Sequence, residues 1–227
     1  MSEEKKELAV VLVSGGMDSC VVTAMAAESH RLACLHANYG QRTEQRELAC
    51  FHQIAEYYKA DRTLVVDLAH LSQIGGSSLT DRTMPVTPSE SPETVPLTYV
   101  PFRNANLLCV AVSWAEVIGA PKIFIGAVEQ DTPGYPDCRA AFYDAFNKLV
   151  RVGTRPETDI EVVAPLIGMT KDEIVRKGVA LGAPFSLTWS CYARDDVPCG
   201  ACHSCLLRAR AFKESGVEDP LSSEGPT

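Results

Sequence analysis

Apolar and polar positions alternate along the chain in blocks that predict strands and helices in turn. Short apolar runs rich in β-branched residues predict buried strands, and apolar residues three and four apart predict amphipathic helices. The runs predict strands at residues 8–13, 31–38, 63–68, 122–128 and 160–164. The helical spacing predicts helices at residues 20–30, 43–58, 104–118, 140–152, 170–182 and 204–215. This alternation indicates an α/β fold with a doubly wound, mainly parallel five-stranded sheet, whose ligands lie at the carboxyl ends of the strands.

Local signals refine three of these helices. Gly119 is expected to end the helix at 104–118, and Thr170 with Glu173 forms a capping box that starts the helix at 170–182. In the helix at 140–152, four apolar side chains are expected to face the core: Phe142, Ala145, Phe146 and Leu149.

The stretch from His70 to Thr98 is rich in Ser, Thr, Pro and Gly and predicts no regular structure. A loop of this length in a compact enzyme is either a functional lid or a disordered segment. We interpret it as a mobile flap over the site.

Composition and charge limit the cellular compartment and the kinds of partner that we expect. The chain has 29 acidic and 21 basic residues and a formal charge of -8, whereas strong nucleic-acid binders carry a basic face. The hydrophilic start MSEEKKE and the absence of a long apolar run predict a cytoplasmic protein with no membrane partner. Nine cysteines in a reducing compartment point to metal binding or catalysis before disulfides.

Four cysteines near the end of the chain have the spacing C-x7-C-x2-C-x2-C: Cys191, Cys199, Cys202 and Cys205. Four thiolates around one tetrahedral ion are typical of structural zinc, so we expect one Zn²⁺ per chain. A redox dithiol pair and an iron–sulfur cluster are the alternatives, and His203 is interpreted as a bystander. No linker divides residues 1–227, which are expected to form a single domain with 185–215 as its zinc segment.

The loop after the first strand, Ser14-Gly-Gly-Met-Asp-Ser19, leads directly into a helix. Glycines allow the backbone to approach an anion, and the N-terminus of the helix favours negative charge. The sequence has no Gly-Lys-Ser/Thr, so this is not a Walker A loop. The alternative is a glycine-rich turn with no ligand.

This loop resembles the PP-loop of the ATP pyrophosphatases, which split ATP to AMP and pyrophosphate. The resemblance implies that Ser14, Gly15, Gly16 and Ser19 cradle the pyrophosphate and that Asp18 holds Mg²⁺ or orients the phosphates. The full ATP-binding set is then Leu12, Val13, Ser14, Gly15, Gly16, Met17, Asp18, Ser19, Cys20, Val21, Val22 and His36. A satisfied core histidine is an equal interpretation of His36.

Five further motifs narrow the resemblance: 36–42 (HANYGQR), 99–104 (YVPFRN), 131–139 (DTPGYPDCR), 165–174 (PL through TKDEI) and 190–205 (SCY through PCGACHSC). Together they resemble the 7-cyano-7-deazaguanine synthases, the nitrile-forming enzymes of queuosine biosynthesis, over residues 8–210. Phe102 departs from the family pattern, in which a small residue is expected, and is expected to reshape the pocket wall.

The resemblance implies conversion of 7-carboxy-7-deazaguanine and ammonia to the nitrile, driven by ATP with Mg²⁺. The carboxylate would form an acyl-adenylate, ammonia would give the amide, and a second activation would give the nitrile. The chain has no N-terminal cysteine nucleophile and no room for a glutaminase module, so free ammonia is the expected donor. The family also implies a homodimer.

The motifs suggest roles for individual residues. We expect Ser14, Asp18, Arg103 and Lys171 to act in catalysis, with Arg103 and Asn104 on a phosphate or substrate carboxylate. The alternatives are a surface capping pair for Arg103 and Asn104 and a solvated lysine for Lys171. A substrate-binding loop is expected from Tyr135, Asp137 and Arg139, in which the tyrosine stacks on a guanine-like ring and the carboxylate accepts its N–H groups. A plain Pro-Asp turn with an exposed tyrosine is the alternative.

Two other functions share these features. A tRNA-thiolating ATPase has the same phosphate loop and could use the cysteines for an iron–sulfur cluster, but the acidic charge counts against it. A non-catalytic nucleotide-binding regulator would explain the loop but neither the four cysteines nor the motif at 131–139.

Overall fold

The computed structural model describes residues 6–86, 95–129 and 134–221 of the 227-residue chain. It contains five strands: β1 (Leu8–Leu12), β2 (Arg31–Asn38), β3 (Arg62–Asp67), β4 (Lys122–Phe124) and β5 (Glu161–Val163). Seven α-helices are described: α1 (Met17–Ser29), α2 (Glu44–Tyr57), α3 (His70–Ile74), α4 (Arg103–Ile118), α5 (Ala140–Gly153), α6 (Lys171–Ala180) and α7 (His203–Ser215). Among the described residues, no helix is long and apolar enough to cross a bilayer.

The strands form one sheet in the order β3-β2-β1-β4-β5, and every pair is parallel. All five residues of β1 are buried, because this central strand is covered on both faces. Val10 and Leu12 face the helices α4 and α5, whereas Val11 and Val13 face α1, α2, α6 and α7. The predicted doubly wound α/β fold is therefore confirmed.

The order of the strands reverses beside β1, between β1 and β4. α1 leaves β1 toward one face of the sheet, and α4 precedes β4 on the other face. A crevice opens at the carboxyl ends of the strands at such a switch point, which is where ligands bind in open α/β sheets. The candidate site lies in this crevice.

The C-terminal segment is seated on the α1 side of the sheet. Phe185 and Phe212 lie in the same core as α1, with their rings 5.3 Å apart and perpendicular. The buried guanidinium of Arg208 donates to both carboxylate oxygens of Asp219 at 2.8 Å and to Thr188 Oγ1 at 2.7 Å. Trp189 N–H also donates to the Gly15 carbonyl at 2.9 Å, which ties this segment to the loop after β1.

Several predicted boundaries need correction. β4 stops at Phe124 rather than at residue 128, because the backbone at Gly126 turns against the start of α1. The helix α1 begins at Met17, three residues earlier than predicted, because Gly16 serves as its N-cap. In α5 the buried face is formed by Tyr143, Phe146 and Val150. The prediction that Ala145 and Leu149 face inward is therefore wrong, because both are exposed.

The stretch predicted to lack regular structure begins with a helix, α3. Beyond it, the Arg42 side chain donates to the carbonyls of Ser78, at 2.7 Å, and Asp81, at 2.8 Å, and also to that of Met84. Ser78 N–H donates to the Leu97 carbonyl at 2.8 Å, which joins the two described ends of the stretch. Residues 87–94 of the predicted flap lie outside the described residues.

Candidate active site

The loop after β1 has the geometry of an anion-binding turn. Gly15 has a φ of +85°, a left-handed conformation that glycine adopts without strain. The Ser14 hydroxyl accepts a hydrogen bond from Gly16 N–H at 3.3 Å and lies 3.2 Å from the Ser19 hydroxyl. The first N–H groups of α1 have no acceptor within the helix, so loop and helix present donors to an anion.

Asp18 and Lys171 meet beside this loop. Lys171 Nζ donates to Asp18 Oδ2 at 2.7 Å, and the side chains are 12% and 28% exposed. Lys171 thus faces the cleft, in contrast to the solvated alternative. The other oxygen, Asp18 Oδ1, is buried without a hydrogen-bond partner. A carboxylate oxygen free to bind beside a phosphate loop fits Mg²⁺, which takes oxygen ligands.

The phosphate loop is held by backbone on both sides. A Cβ at Gly15 would lie 2.7 Å from the Glu47 carbonyl oxygen of α2. One at Gly126 would lie 3.0 Å from the backbone of Asp18 and Ser19. The distance at Gly15 is too short for a real Cβ and its φ is positive, so this position requires glycine if the loop is to keep its place. At position 126 the backbone of Asp18 and Ser19 would have to shift by a few tenths of an ångström.

Arg103, the first residue of α4, lines the opposite wall of the cleft. Its guanidinium donates to Tyr39 Oη at 3.1 Å and to Asn104 Oδ1 at 3.4 Å, both of them uncharged oxygens. Its Nε is buried without a partner. Among the residues that the structure describes, no carboxylate forms an ion pair with Arg103, so its charge is available for a phosphate or carboxylate.

Asn104 is buried beside Arg103 and connects α4 to the loop after β4. Its backbone N–H donates to Asp137 Oδ2, and its Nδ2 to the Asp137 carbonyl, both at 3.0 Å. Burial raises the pKa of the Asp137 carboxyl. Asp137 therefore caps the N-terminus of α4 by accepting the backbone N–H of Asn104, and it does not line the cleft.

Tyr135 and Arg139, the other two residues of the predicted substrate-binding loop, differ in whether they line the cleft. Tyr135 is buried and lines the cleft, with its hydroxyl 2.6 Å from Thr98 Oγ1, unlike an exposed turn tyrosine. Arg139 is exposed at the N-cap of α5 and does not line the cleft. Residues 131–133 of this motif lie outside the described residues.

His36 lines the cleft, and both of its ring nitrogens have hydrogen-bond partners. Nδ1 is 2.8 Å from the Val13 carbonyl oxygen, Nε2 is 3.2 Å from Asn38 Oδ1, and the ring stacks on Phe51. Burial lowers the pKa of this imidazole. These contacts fit the satisfied core histidine of the two interpretations, and a contact between His36 and ATP stays a prediction.

The remaining members of the predicted ATP set divide into two groups. Leu12, Val13 and Met17 line the cleft. The side chains that follow point instead into the core between α1 and its neighbours: Cys20, Val21 and Val22. Helical periodicity explains the difference, because only the first turn of α1 faces the carboxyl ends of the strands.

The four predicted cysteine ligands come together at the N-terminus of α7. The sulfurs of Cys191, Cys199, Cys202 and Cys205 all lie within 4.8 Å of one another. Tetrahedral zinc with bonds of about 2.3 Å separates its sulfurs by about 3.8 Å. Cys191 Sγ accepts three backbone N–H groups at 3.4 Å, which stabilises a thiolate. The donor set and its geometry therefore fit a structural zinc ion.

A family model described as queuosine biosynthesis protein QueC matches residues 8–216, nearly the whole chain. The chain belongs to the QueC family. The 7-cyano-7-deazaguanine synthase of Chlorobaculum tepidum is 59% identical to it over 218 residues, which are 95% of this chain and 96% of that relative. The 7-cyano-7-deazaguanine synthase of Chloroherpeton thalassium is 57% identical over 215 residues, 94% and 95% of the two chains.

A solved structure also shares the fold of this QueC-family chain. NMN synthetase from Francisella tularensis superposes with a TM-score of 0.50 at 11% sequence identity, over 97% of this chain and 80% of that one. At this identity the likeness shows the fold alone. It agrees with the predicted fold of the PP-loop enzymes.

The cleft of this QueC-family chain also contains residues to which no role was assigned from sequence: Tyr39, Glu47, Gly126, Ser190 and Arg208. Tyr39 and Gly126 follow the carboxyl ends of β2 and β4, so their positions alone could have indicated them. Glu47 and Arg208 lie on helices. In a helical sequence, a charged residue that faces a cleft cannot be distinguished from one that faces solvent. Phe102 is 62% exposed and does not line the cleft, which corrects the expectation that it shapes the pocket wall.

Proposed function

We propose that this chain converts 7-carboxy-7-deazaguanine, ammonia and ATP to 7-cyano-7-deazaguanine, AMP and pyrophosphate. The observation that carries the proposal is the position of Arg103. Its unneutralised guanidinium shares a cleft with the glycine-rich loop after β1, which we assign to pyrophosphate. Activation of a carboxylate by ATP requires both groups. The names of the relatives at 59% and 57% identity supply the substrate class.

In the first step, a carboxylate oxygen of the substrate attacks the α-phosphorus of ATP and pyrophosphate leaves. The hydroxyls of Ser14 and Ser19 and the N-terminus of α1 stabilise the charge on the leaving pyrophosphate. Lys171 contributes a positive charge from the start of α6. Asp18 would hold Mg²⁺, which supplies charge neutralisation on the phosphates.

In the second step, ammonia attacks the acyl carbon, AMP leaves, and one proton passes to solvent. The amide oxygen then attacks a second ATP at its α-phosphorus, pyrophosphate leaves, and a proton from the amide nitrogen passes to solvent, which gives an imidoyl adenylate. Loss of AMP and a proton from this imidate leaves the carbon–nitrogen triple bond. Arg103 would orient first the carboxylate and then the amide, because both present an oxygen at the same place.

Isotopic labelling tests this sequence of steps. With both carboxylate oxygens labelled with ¹⁸O, each of the two AMP molecules should carry one labelled oxygen, and the nitrile none. Label in pyrophosphate or in water instead of AMP would contradict attack on the α-phosphorus. The tRNA-thiolating alternative is not favoured by the family match.

Free ammonia as the nitrogen donor, a homodimer and a cytoplasmic location belong to the same proposal. The family resemblance supports the dimer, and α4 and α5 expose apolar side chains that a partner copy could cover, at Val117, Leu149 and Val152. The mass of the protein in solution tests the dimer.

A further inference from the structure

Glu47 is a carboxylate in the cleft with no positive partner in direct contact. It lies in the first turn of α2 and lines the cleft beside the phosphate loop. Thr43 Oγ1 donates to its Oε1 at 2.7 Å, and Gln41 Nε2 donates to its Oε2 at 3.1 Å. Within the described residues, Glu47 forms no ion pair, and burial raises the pKa of its carboxyl.

The contacts around Glu47 fix its orientation. Gln41 accepts the Tyr39 N–H at 2.8 Å with its side-chain oxygen, so its amide nitrogen is directed at Glu47. The Glu47 backbone is in turn pressed against Gly15 of the phosphate loop. A carboxylate held in this way by neutral donors keeps lone pairs for a ligand.

Arg103 and Glu47 give the cleft two opposite charges that do not neutralise each other by contact. Both side chains line the cleft. Burial raises the pKa of the Glu47 carboxyl, and the charge of Arg103 offsets only part of that rise. Its own hydrogen bonds go to Tyr39 and Asn104. Such a cleft is complementary to a ligand that has an anionic group at one end and hydrogen-bond donors at the other.

We propose that Glu47 determines specificity by accepting hydrogen bonds from the ring N–H and the exocyclic amino group of a guanine-like base, while Arg103 holds the carboxylate at the other end. The inference rests on the proposed function, and it identifies the residue that recognises the deazaguanine base of the substrate. It gives Glu47 the role predicted for Asp137, whose carboxylate accepts the N–H of Asn104 instead.

The chemistry of the base edge matches a carboxylate. A guanine-like base presents two parallel donors, and the two oxygens of a carboxylate accept both. An analogue in which hydrogen replaces the amino group leaves one lone pair of the Glu47 carboxylate without a donor, although each oxygen keeps its hydrogen bond from Thr43 or Gln41. Sites built to hydrogen-bond an N–H group reject such analogues strongly.

The experiment compares the deazaguanine acid with its analogue lacking the amino group, in wild type and in Glu47→Gln. We expect wild type to prefer the amino compound by about 10- to 100-fold in kcat/KM, the value of one hydrogen bond to a charged group. Glu47→Gln should reduce this preference to about threefold or less, with the KM for ATP unchanged. Glu56→Gln, an exposed glutamate on the same helix, is the matched control and should keep the wild-type preference.

Three outcomes would overturn the assignment. The first is a preference retained in Glu47→Gln. The second is an unchanged preference with a raised KM for ammonium, which would make Glu47 an ammonium site. The third is a wild type that prefers neither compound, which decides the matter even if the variant does not fold. A wild type that converts neither acid would contradict the proposed function itself.

Discussion

Asp18 and Lys171 are 153 positions apart in the chain and form an ion pair in the cleft. The phosphate loop could be predicted because its glycines and serines lie within six residues, 14–19, so that local sequence alone specifies the turn. The partner of Asp18 could not be predicted, because a lysine in the first turn of a helix can equally well point into solvent. The position of Asp137 behind α4 depends in the same way on a contact across 33 residues.

Asp18→Asn should reduce pyrophosphate release by at least about 100-fold, because the variant loses the charge beside the phosphates. The fold should persist, since the pair with Lys171 is partly exposed. The control is Asp61→Asn, which removes an exposed ion pair with Arg31. Activity near that of wild type in Asp18→Asn would remove this carboxylate from the mechanism.

Phe102 is strained at the start of α4, with a φ of +56° in a residue that has a Cβ. This conformation costs roughly 1–2 kcal/mol for residues other than glycine. Phe102→Gly should therefore be more stable than Phe102→Ala by about 1 kcal/mol, in chemical denaturation. Both variants lose the exposed ring, so equal stabilities would show that the backbone there is unstrained.

At the scale of elements, the sheet and the helices were predictable because their periodicities are strong. The wrong predictions concern positions at which tertiary contacts determine where an element ends or which of its faces is buried. β4 is shortened by the approach of residue 126 to α1, and α5 is rotated so that Leu149 is exposed. A pattern of apolar residues shows that a helix has a buried face but does not fix its limits when both flanks are apolar.

The packing of α6 on α1 gives a prediction at this scale. A Cβ at Gly178 would lie 2.3 Å from Phe185 Cζ and 2.8 Å from Val21 Cγ2. Gly178→Ala should destabilise the protein by about 1–2 kcal/mol, because overpacking outweighs the better helix propensity of alanine. Gly153→Ala, in the last turn of α5, should be neutral or slightly stabilising, because a Cβ there would meet no atom within 4 Å. A stabilised Gly178→Ala would show that Phe185 can move.

At the scale of the whole molecule, the cysteine cluster joins the C-terminal segment to the rest. Cys191, Cys202 and Cys205 pack with Cys50 of α2 and with Trp189, next to the phosphate loop. Its ligands could be predicted from spacing alone, since short C-x2-C units constrain the sulfurs locally. How the segment closes the cleft, through Trp189, Ser190 and Tyr192, is a matter of tertiary packing.

Purified protein should contain about one zinc ion per chain by elemental analysis. Cys202→Ser should lose zinc and stability, because structural zinc contributes folding free energy. Cys109→Ser, which alters an exposed free cysteine, should retain both. Iron with sulfide, or far less than one zinc ion per chain, would rule out the four-thiolate zinc site.

The central claim is that this cleft makes a nitrile from an acid at the expense of ATP. The most direct measurement incubates the protein with Mg·ATP, ammonium and 7-carboxy-7-deazaguanine and analyses the products by mass spectrometry. We expect 7-cyano-7-deazaguanine, with two AMP formed for each nitrile. Intact ATP and unchanged acid, under conditions in which the protein is folded and contains zinc, would contradict the account.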